Sequence, residues 1–186
     1  MTDHPQFRLS IEHITHAPNQ AAALKRWSHA ARGLVLFAGR PGSGKTTTVY
    51  ACMAEALTQG SPRIATVEDA LDLRIAGVDH TCAPGPDEAH QQEAFEAIAG
   101  RGADVLFAGT GPALWKSALS KAQAGQLVFV QLEADSAAHA VEVFTAGTSQ
   151  SALDHLVGSV WQALHAVPET GRRRAQYDLE AGPLDA

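Results

Sequence analysis

Short apolar runs alternate along the chain with stretches in which apolar side chains recur every three or four residues. That alternation reads as strand followed by helix. Pro18-Asn19 opens a helix that places Ala23, Leu24, Trp27 and Ala31 on one face, and Gly33 stops it. Gly33–Ala38 is a short apolar strand. Val49, Cys52, Met53, Ala56 and Leu57 then fall at helical spacing. A second strand, Arg63–Val67, is opened by Ser61-Pro62 and closed by Glu68-Asp69. Residues 70–87 are expected to be irregular, with Gly77, Pro84, Gly85 and Pro86 as breakers. A helix from Asp87 to Ala99 turns Phe95, Ile98 and Ala99 inward, and Asp104–Ala108 is the third strand. Trp115, Ala118, Leu119 and Ala122 mark the next helix, Gln126–Leu132 the fourth strand, and Ala137, Ala140, Val141 and Phe144 another helix. From Ser151, the spacing of Leu153, Leu156, Val157, Val160, Trp161 and Leu164 predicts the strongest amphipathic helix of the chain. Gly171–Glu180 is expected to add an edge strand.

Strands alternating with helices imply an α/β fold with a mainly parallel central sheet. A length of 186 residues fits one domain, since roughly 100–200 residues make one. Residues 1–18 are read as an N-terminal extension and 19–186 as that domain. Hydrophobic residues at 45% and charged residues at 18% exclude a disordered chain. A net charge of −6 provides no overall field for nucleic acid or anionic lipid, so neither partner is expected. The two cysteines, Cys52 and Cys82, exclude a disulfide framework and a four-thiolate zinc site. The N-terminus lacks the basic start and apolar stretch of a signal peptide, and no apolar run reaches the ~20 residues that span a bilayer. The expected location is cytoplasmic.

The strongest chemical signal is Gly39-Arg40-Pro41-Gly42-Ser43-Gly44-Lys45-Thr46, which fits Gly-x-x-x-x-Gly-Lys-Ser/Thr without a mismatch. It lies between an apolar strand and a helix, the context this motif requires. Glycines let backbone N–H groups turn inward around phosphate oxygens, and the helix N-terminus adds a partial positive charge. Lys45 can reach the β- and γ-phosphates, the Thr46 hydroxyl can hold Mg²⁺, and Thr47 is placed for the α-phosphate. The expected ligands are ATP and Mg²⁺, on a P-loop (RecA-like) three-layer fold.

Phosphoryl transfer also needs a group that orients the attacking water, and in an open α/β sheet such groups sit at the carboxyl ends of strands. The second strand ends in Glu68-Asp69, the candidates for water orientation or metal contact. The third ends in Gly109-Thr110-Gly111, without a carboxylate, while Asp104 lies at its other end. The fourth ends in Glu133, with Asp135 two residues on. Asp135-Ser136 reads as an N-cap of the following helix. The nine histidines match no metal-ligand spacing and read as scattered surface residues. Cys52 reads as core, and Arg172 to Arg174 as a solvated turn.

The segment GLVLFAGRPGSGKTTTVY, Gly33 to Tyr50, resembles the core of the secretion ATPases, the hexameric motors of type II secretion and of type IV pilus extension and retraction. IATVEDALD, Ile64 to Asp72, is similar to that family's acidic box, with Ala70 for its proline and Asp72 for its last glutamate. ADVLFAGTG aligns with the family's Walker B segment, where Thr110 stands at the glutamate position, Pro112 at the arginine and Ala113 at the final acid. AGQLVFVQLEADSA aligns with the histidine box, with Gln126 and Glu133 in place of its histidines. Gly171 to Asp178 is similar to the family's closing strand. The resemblance covers residues 20–180, most closely 33–72. It implies a nucleotide-binding, hydrolysis-impaired relative acting as an accessory or regulatory component of a secretion or pilus machine at the inner membrane. The implied partners are a motor ATPase or further copies of the chain. The family's N-terminal domain is expected to be missing for want of length. Two alternatives stay open: an active ATPase that uses Glu68 and Asp69, and a small-molecule P-loop kinase.

Overall fold

The computed structural model describes residues 9–71, 73–85, 87–109, 111–167 and 173–185. In chain order the elements are α1 (Ile11–Ile14), α2 (Pro18–Ser28), β1 (Gly33–Ala38), α3 (Lys45–Ala56), β2 (Ile64–Glu68), β3 (Val78–Cys82), α4 (Glu88–Ala99), β4 (Val105–Ala108), α5 (Trp115–Gln123), β5 (Leu127–Leu132), α6 (Ala137–Gly147), β6 (Leu156–Ala166) and β7 (Arg173–Ala181). The strands form one sheet in the order β3-β2-β4-β5-β1-β6-β7. Every neighbouring pair is parallel except the antiparallel β6–β7. This is the expected α/β, P-loop type of fold.

The period of two along a strand divides the core between the two faces of the sheet. In β1, Leu34, Leu36 and Ala38 join the cluster under α4, α5 and α6, which includes Phe95, Trp115 and Phe144. Val35 and Phe37 face the other way, to Trp27 of α2 and to Val49 and Met53 of α3. All six residues of β1 are buried. Removing one of its large side chains, as in Leu36→Ala, costs about 2–5 kcal/mol. The loop that follows β1 therefore starts from a rigid strand at the centre of the sheet. Ile11 is fully buried in the second cluster, so α1 packs against the domain as well.

Two expectations fail. The helix expected from Ser151 is instead 3₁₀ turns over Gln150–His155 followed by the strand β6. A strand covered on both faces is apolar at consecutive positions, and this run happens also to satisfy a helical period. Gly158 was the contrary signal. A β-carbon there would lie 2.5 Å from the Trp27 ring, so the strand passes directly over the indole. The second failure is β3, inside the segment expected to be irregular. It is a half-exposed edge strand with the polar run Asp79-His80-Thr81, too short and too polar to announce itself. The expected closing strand is present as β7. Arg173 and Arg174 lie exposed on it rather than in a turn, and Gly171 and Arg172 lie outside the described residues.

Candidate nucleotide-binding site

The loop between β1 and α3 turns on Gly39, Gly42 and Gly44, all at positive φ. Two of these glycines are required for more than the turn. A β-carbon on Gly39 would lie 2.4 Å from the Gln162 carbonyl oxygen and 2.7 Å from Ser43 Oγ. Gly44, at φ 88°, is the N-cap of α3, and a β-carbon there would press on the Gln162 side chain at 3.1 Å. Gln162 of β6 also donates from Nε2 to the Ser43 carbonyl at 2.7 Å. The loop is thus pinned to β6 on one side. A β-carbon on Gly42 would meet nothing within 4 Å, so the loop's outer edge faces open space.

Inside the loop, Lys45 is 7% exposed and donates from Nζ to the carbonyls of Gly39, at 2.8 Å, and Arg40, at 3.0 Å. Burial lowers its pKa, and the negative charge of Glu133 acts in the opposite direction. Ser43 Oγ and Gln162 Oε1 are buried without hydrogen-bond partners among the described residues. An ammonium held on loop carbonyls, an orphaned hydroxyl and the open N-terminus of a 12-residue helix form a cradle that suits a polyphosphate. Thr46 Oγ1 lies 3.4 Å from Gln131 Oε1 and 3.3 Å from Gln131 Nε2, half-buried at the sheet edge of the loop, where a hydroxyl can hold Mg²⁺. Thr47 is exposed and Thr48 is buried, its hydroxyl 3.2 Å from Tyr177 Oη. Arg40 and Pro41 are exposed on the outer edge.

Glu68 and Asp69 stand in different surroundings, the first buried and the second exposed. Glu68 is 4% exposed at the end of β2. Tyr50 Oη lies 2.9 and 3.0 Å from its two oxygens, and Thr66 Oγ1 donates to Oε1 at 2.8 Å. Behind Thr66 stands His80, whose side chain is 2% exposed, a correction to the expectation of surface histidines. The Ile75 N–H donates to His80 Nε2 at 3.0 Å, which leaves Nδ1 to carry the proton and donate to Thr66 Oγ1 at 3.2 Å. Gly109, at the end of β4, must lack a side chain because a β-carbon would lie 2.8 Å from Glu68 Cγ. Asp69 is exposed. Thr110 and Asp72 lie outside the described residues. Ser136 caps α6, accepting from the His139 N–H at 3.0 Å, while Asp135 Oδ1 lies 4.0 Å from Arg40 Nη2.

The family model described as Type II/IV secretion system protein matches residues 1–166. The chain belongs to that family. Among curated relatives it is 31% identical over 136 residues to the type II secretion system protein HxcR of Pseudomonas aeruginosa, a match that covers 72% of this chain and 29% of HxcR. With the type II secretion system protein E of Dickeya dadantii it shares 28% over 109 residues, covering 59% of this chain and 22% of that protein. The matches thus span less than a third of the length of these relatives. Among solved structures the fold superposes on the pilus retraction motor PilT with bound ADP (TM-score 0.74, 22% identical, 93% of this chain and 53% of that one). It also superposes on the ATPase DotB of Legionella pneumophila (TM-score 0.73, 16% identical, 92% and 50%).

For this member of the Type II/IV secretion family, the strand-end rule found Glu68 but passed over Gln131. That amide interrupts the otherwise apolar run Leu127–Leu132 at its carboxyl end, and the same rule would have found it. Gln162 was hidden by the helical reading of β6. Tyr50 and His80 could not be found from spacing, because α3 and β3 bring them to Glu68 from different parts of the chain. Cys52 is buried as expected, and burial pushes its thiol up to about 12. Among the described residues no helix is long and apolar enough to cross a membrane.

Proposed function

We propose that the chain binds ATP with Mg²⁺ through Gly39, Arg40, Pro41, Gly42, Ser43, Gly44, Lys45, Thr46 and Thr47. On this reading it hydrolyses ATP weakly or not at all, and serves as an accessory or regulatory component of a type II secretion or type IV pilus machine. The observation that carries the proposal is the Lys45 ammonium, buried on the carbonyls of Gly39 and Arg40 beside an orphaned Ser43 hydroxyl. Loop amides and Lys45 neutralise the phosphates, and the Thr46 hydroxyl is the group for the metal. Mg²⁺, when bound, would supply charge neutralisation to the phosphates. Impaired hydrolysis is supported by the carboxylate missing from Gly109-Thr110-Gly111 and by the engagement of Glu68 with Tyr50 and Thr66. Its natural partners are then a motor ATPase or further copies of this chain, on the cytoplasmic side of the membrane.

A second reading, active turnover through Glu68 with Asp69, draws on the position of Glu68 against Gly109 at the carboxyl ends of β2 and β4. The test is phosphate release measured alongside ATP binding. The proposal expects tight binding with little release. Sustained release that Glu68→Gln abolishes replaces it with the second reading.

A further inference from the structure

At the end of β5 and just beyond it, Gln131 and Asp135 approach residues of the phosphate loop, and Glu133 between them follows Leu132, whose partner Ala38 precedes Gly39, the residue whose carbonyl holds the Lys45 ammonium at 2.8 Å. Gln131 is within 3.4 Å of Thr46 Oγ1, and Asp135 Oδ1 is 4.0 Å from Arg40 Nη2. Glu133, between them, acts electrostatically on Lys45. The register explains the alignment. β5 runs parallel to β1 with Leu132 opposite Ala38, so the residue after each strand enters the loop region side by side. Leu132 itself turns to the opposite face, into the cluster with Phe95 and Trp115.

Glu133 differs from Glu68 and Asp104, and of the exposed acids that follow these strands it, rather than Asp69, is the one that acts on Lys45. It is exposed, and among the described residues its carboxylate accepts no hydrogen bond. Glu68 is buried under two hydroxyl donors, and Asp104 lies at the far end of β4, accepting from the Arg63 N–H. An exposed carboxylate that follows the strand next to the phosphate loop and whose charge acts on its lysine has a definite consequence for a triphosphate. It competes for the ammonium and repels the highly charged bare phosphates, and a divalent cation between them removes the repulsion.

We propose that Glu133 determines the ionic form of the ligand: from β5 it makes the loop select a magnesium–triphosphate complex over the bare triphosphate, in place of an acid on β4. This rests on the phosphate-loop reading above. The test is calorimetric titration of wild type, Glu133→Gln and Glu68→Gln with ATP and with inorganic tripolyphosphate, each with Mg²⁺ and with a chelator. Thermal melts check that the variants are folded.

Wild type is expected to prefer the magnesium form of both ligands. Glu133→Gln is expected to narrow that preference about tenfold, equivalent to about 1.4 kcal/mol, chiefly by tightening the metal-free form. An unchanged preference in Glu133→Gln, an equal loss of both forms, or a narrowing seen with ATP but not with tripolyphosphate overturns the assignment and leaves nucleotide binding standing. Collapse of the preference in Glu68→Gln alone moves the charge to β2 and also overturns it. Absence of binding by wild type overturns both this inference and the phosphate-loop reading.

Discussion

The ends of β2 and β5 each carry a glutamate near the nucleotide loop, and the fold treats the two in opposite ways. Glu68 is taken out of water and given Tyr50 and Thr66 as donors, with His80 behind them in a fixed tautomer. Glu133 is left in solvent with Lys45 as its electrostatic neighbour. A buried carboxylate with satisfied hydrogen bonds belongs to the structure as much as to the site, because removing it strands its donors. An exposed carboxylate contributes little to folding, so its charge is free to act on a ligand. Proximity of an acid to a phosphate loop therefore does not define its role; its hydrogen bonds do.

The contrast can be broken most directly through stability. Glu68→Ala removes the buried acceptor of the Thr66 hydroxyl and one of the acceptors of Tyr50, whose hydroxyl keeps the Leu73 carbonyl at 3.2 Å, and a loss of about 1–3 kcal/mol is expected. Glu133→Ala should stay within about 0.5 kcal/mol of wild type. Urea denaturation compares the two, and equal losses would abolish the distinction. Tyr50→Phe removes one donor of the same network and should cost about 1.5–3 kcal/mol. It should lower Tm by about 2–4 °C for each kcal/mol lost, and an unchanged Tm would mean that the hydroxyl contributes nothing to holding Glu68.

The smallest effect concerns pH. Burial lowers the Lys45 pKa below its usual value, and Glu133 holds it up. A neutral amine does not attract phosphate, so affinity for tripolyphosphate should fall as pH rises through that lowered pKa. In Glu133→Gln the fall should move to lower pH, because the carboxylate that favours the ammonium is gone. Binding measured across the alkaline range checks the direction, and a shift to higher pH contradicts it.

Much of this was legible from residues alone. The loop from Gly39 to Thr46, the strand before it and the helix after it were readable because glycine, lysine and threonine at that spacing serve one chemistry. The helices α4, α5 and α6 were readable because each has a single apolar face. β6 was not, because a strand buried on both sides imitates a helical period, and with it Gln162 was lost from the site. Nor did the sequence, which favoured Glu68 over Glu133 as the catalytic candidate, show that Glu68 is buried and Glu133 exposed. Both follow an apolar strand, and what separates them is Tyr50 and His80, which reach Glu68 only after α3 and β3 have packed around it.

The central claim is that the loop after β1 receives a triphosphate through Lys45. Calorimetric titration of Mg²⁺·ATP into the wild-type chain and into Lys45→Ala tests it most directly. Saturable binding by wild type is predicted, weakened about 100-fold or more in the variant by the loss of charge-assisted hydrogen bonds. No binding by wild type, or equal affinity in the two proteins, would contradict it.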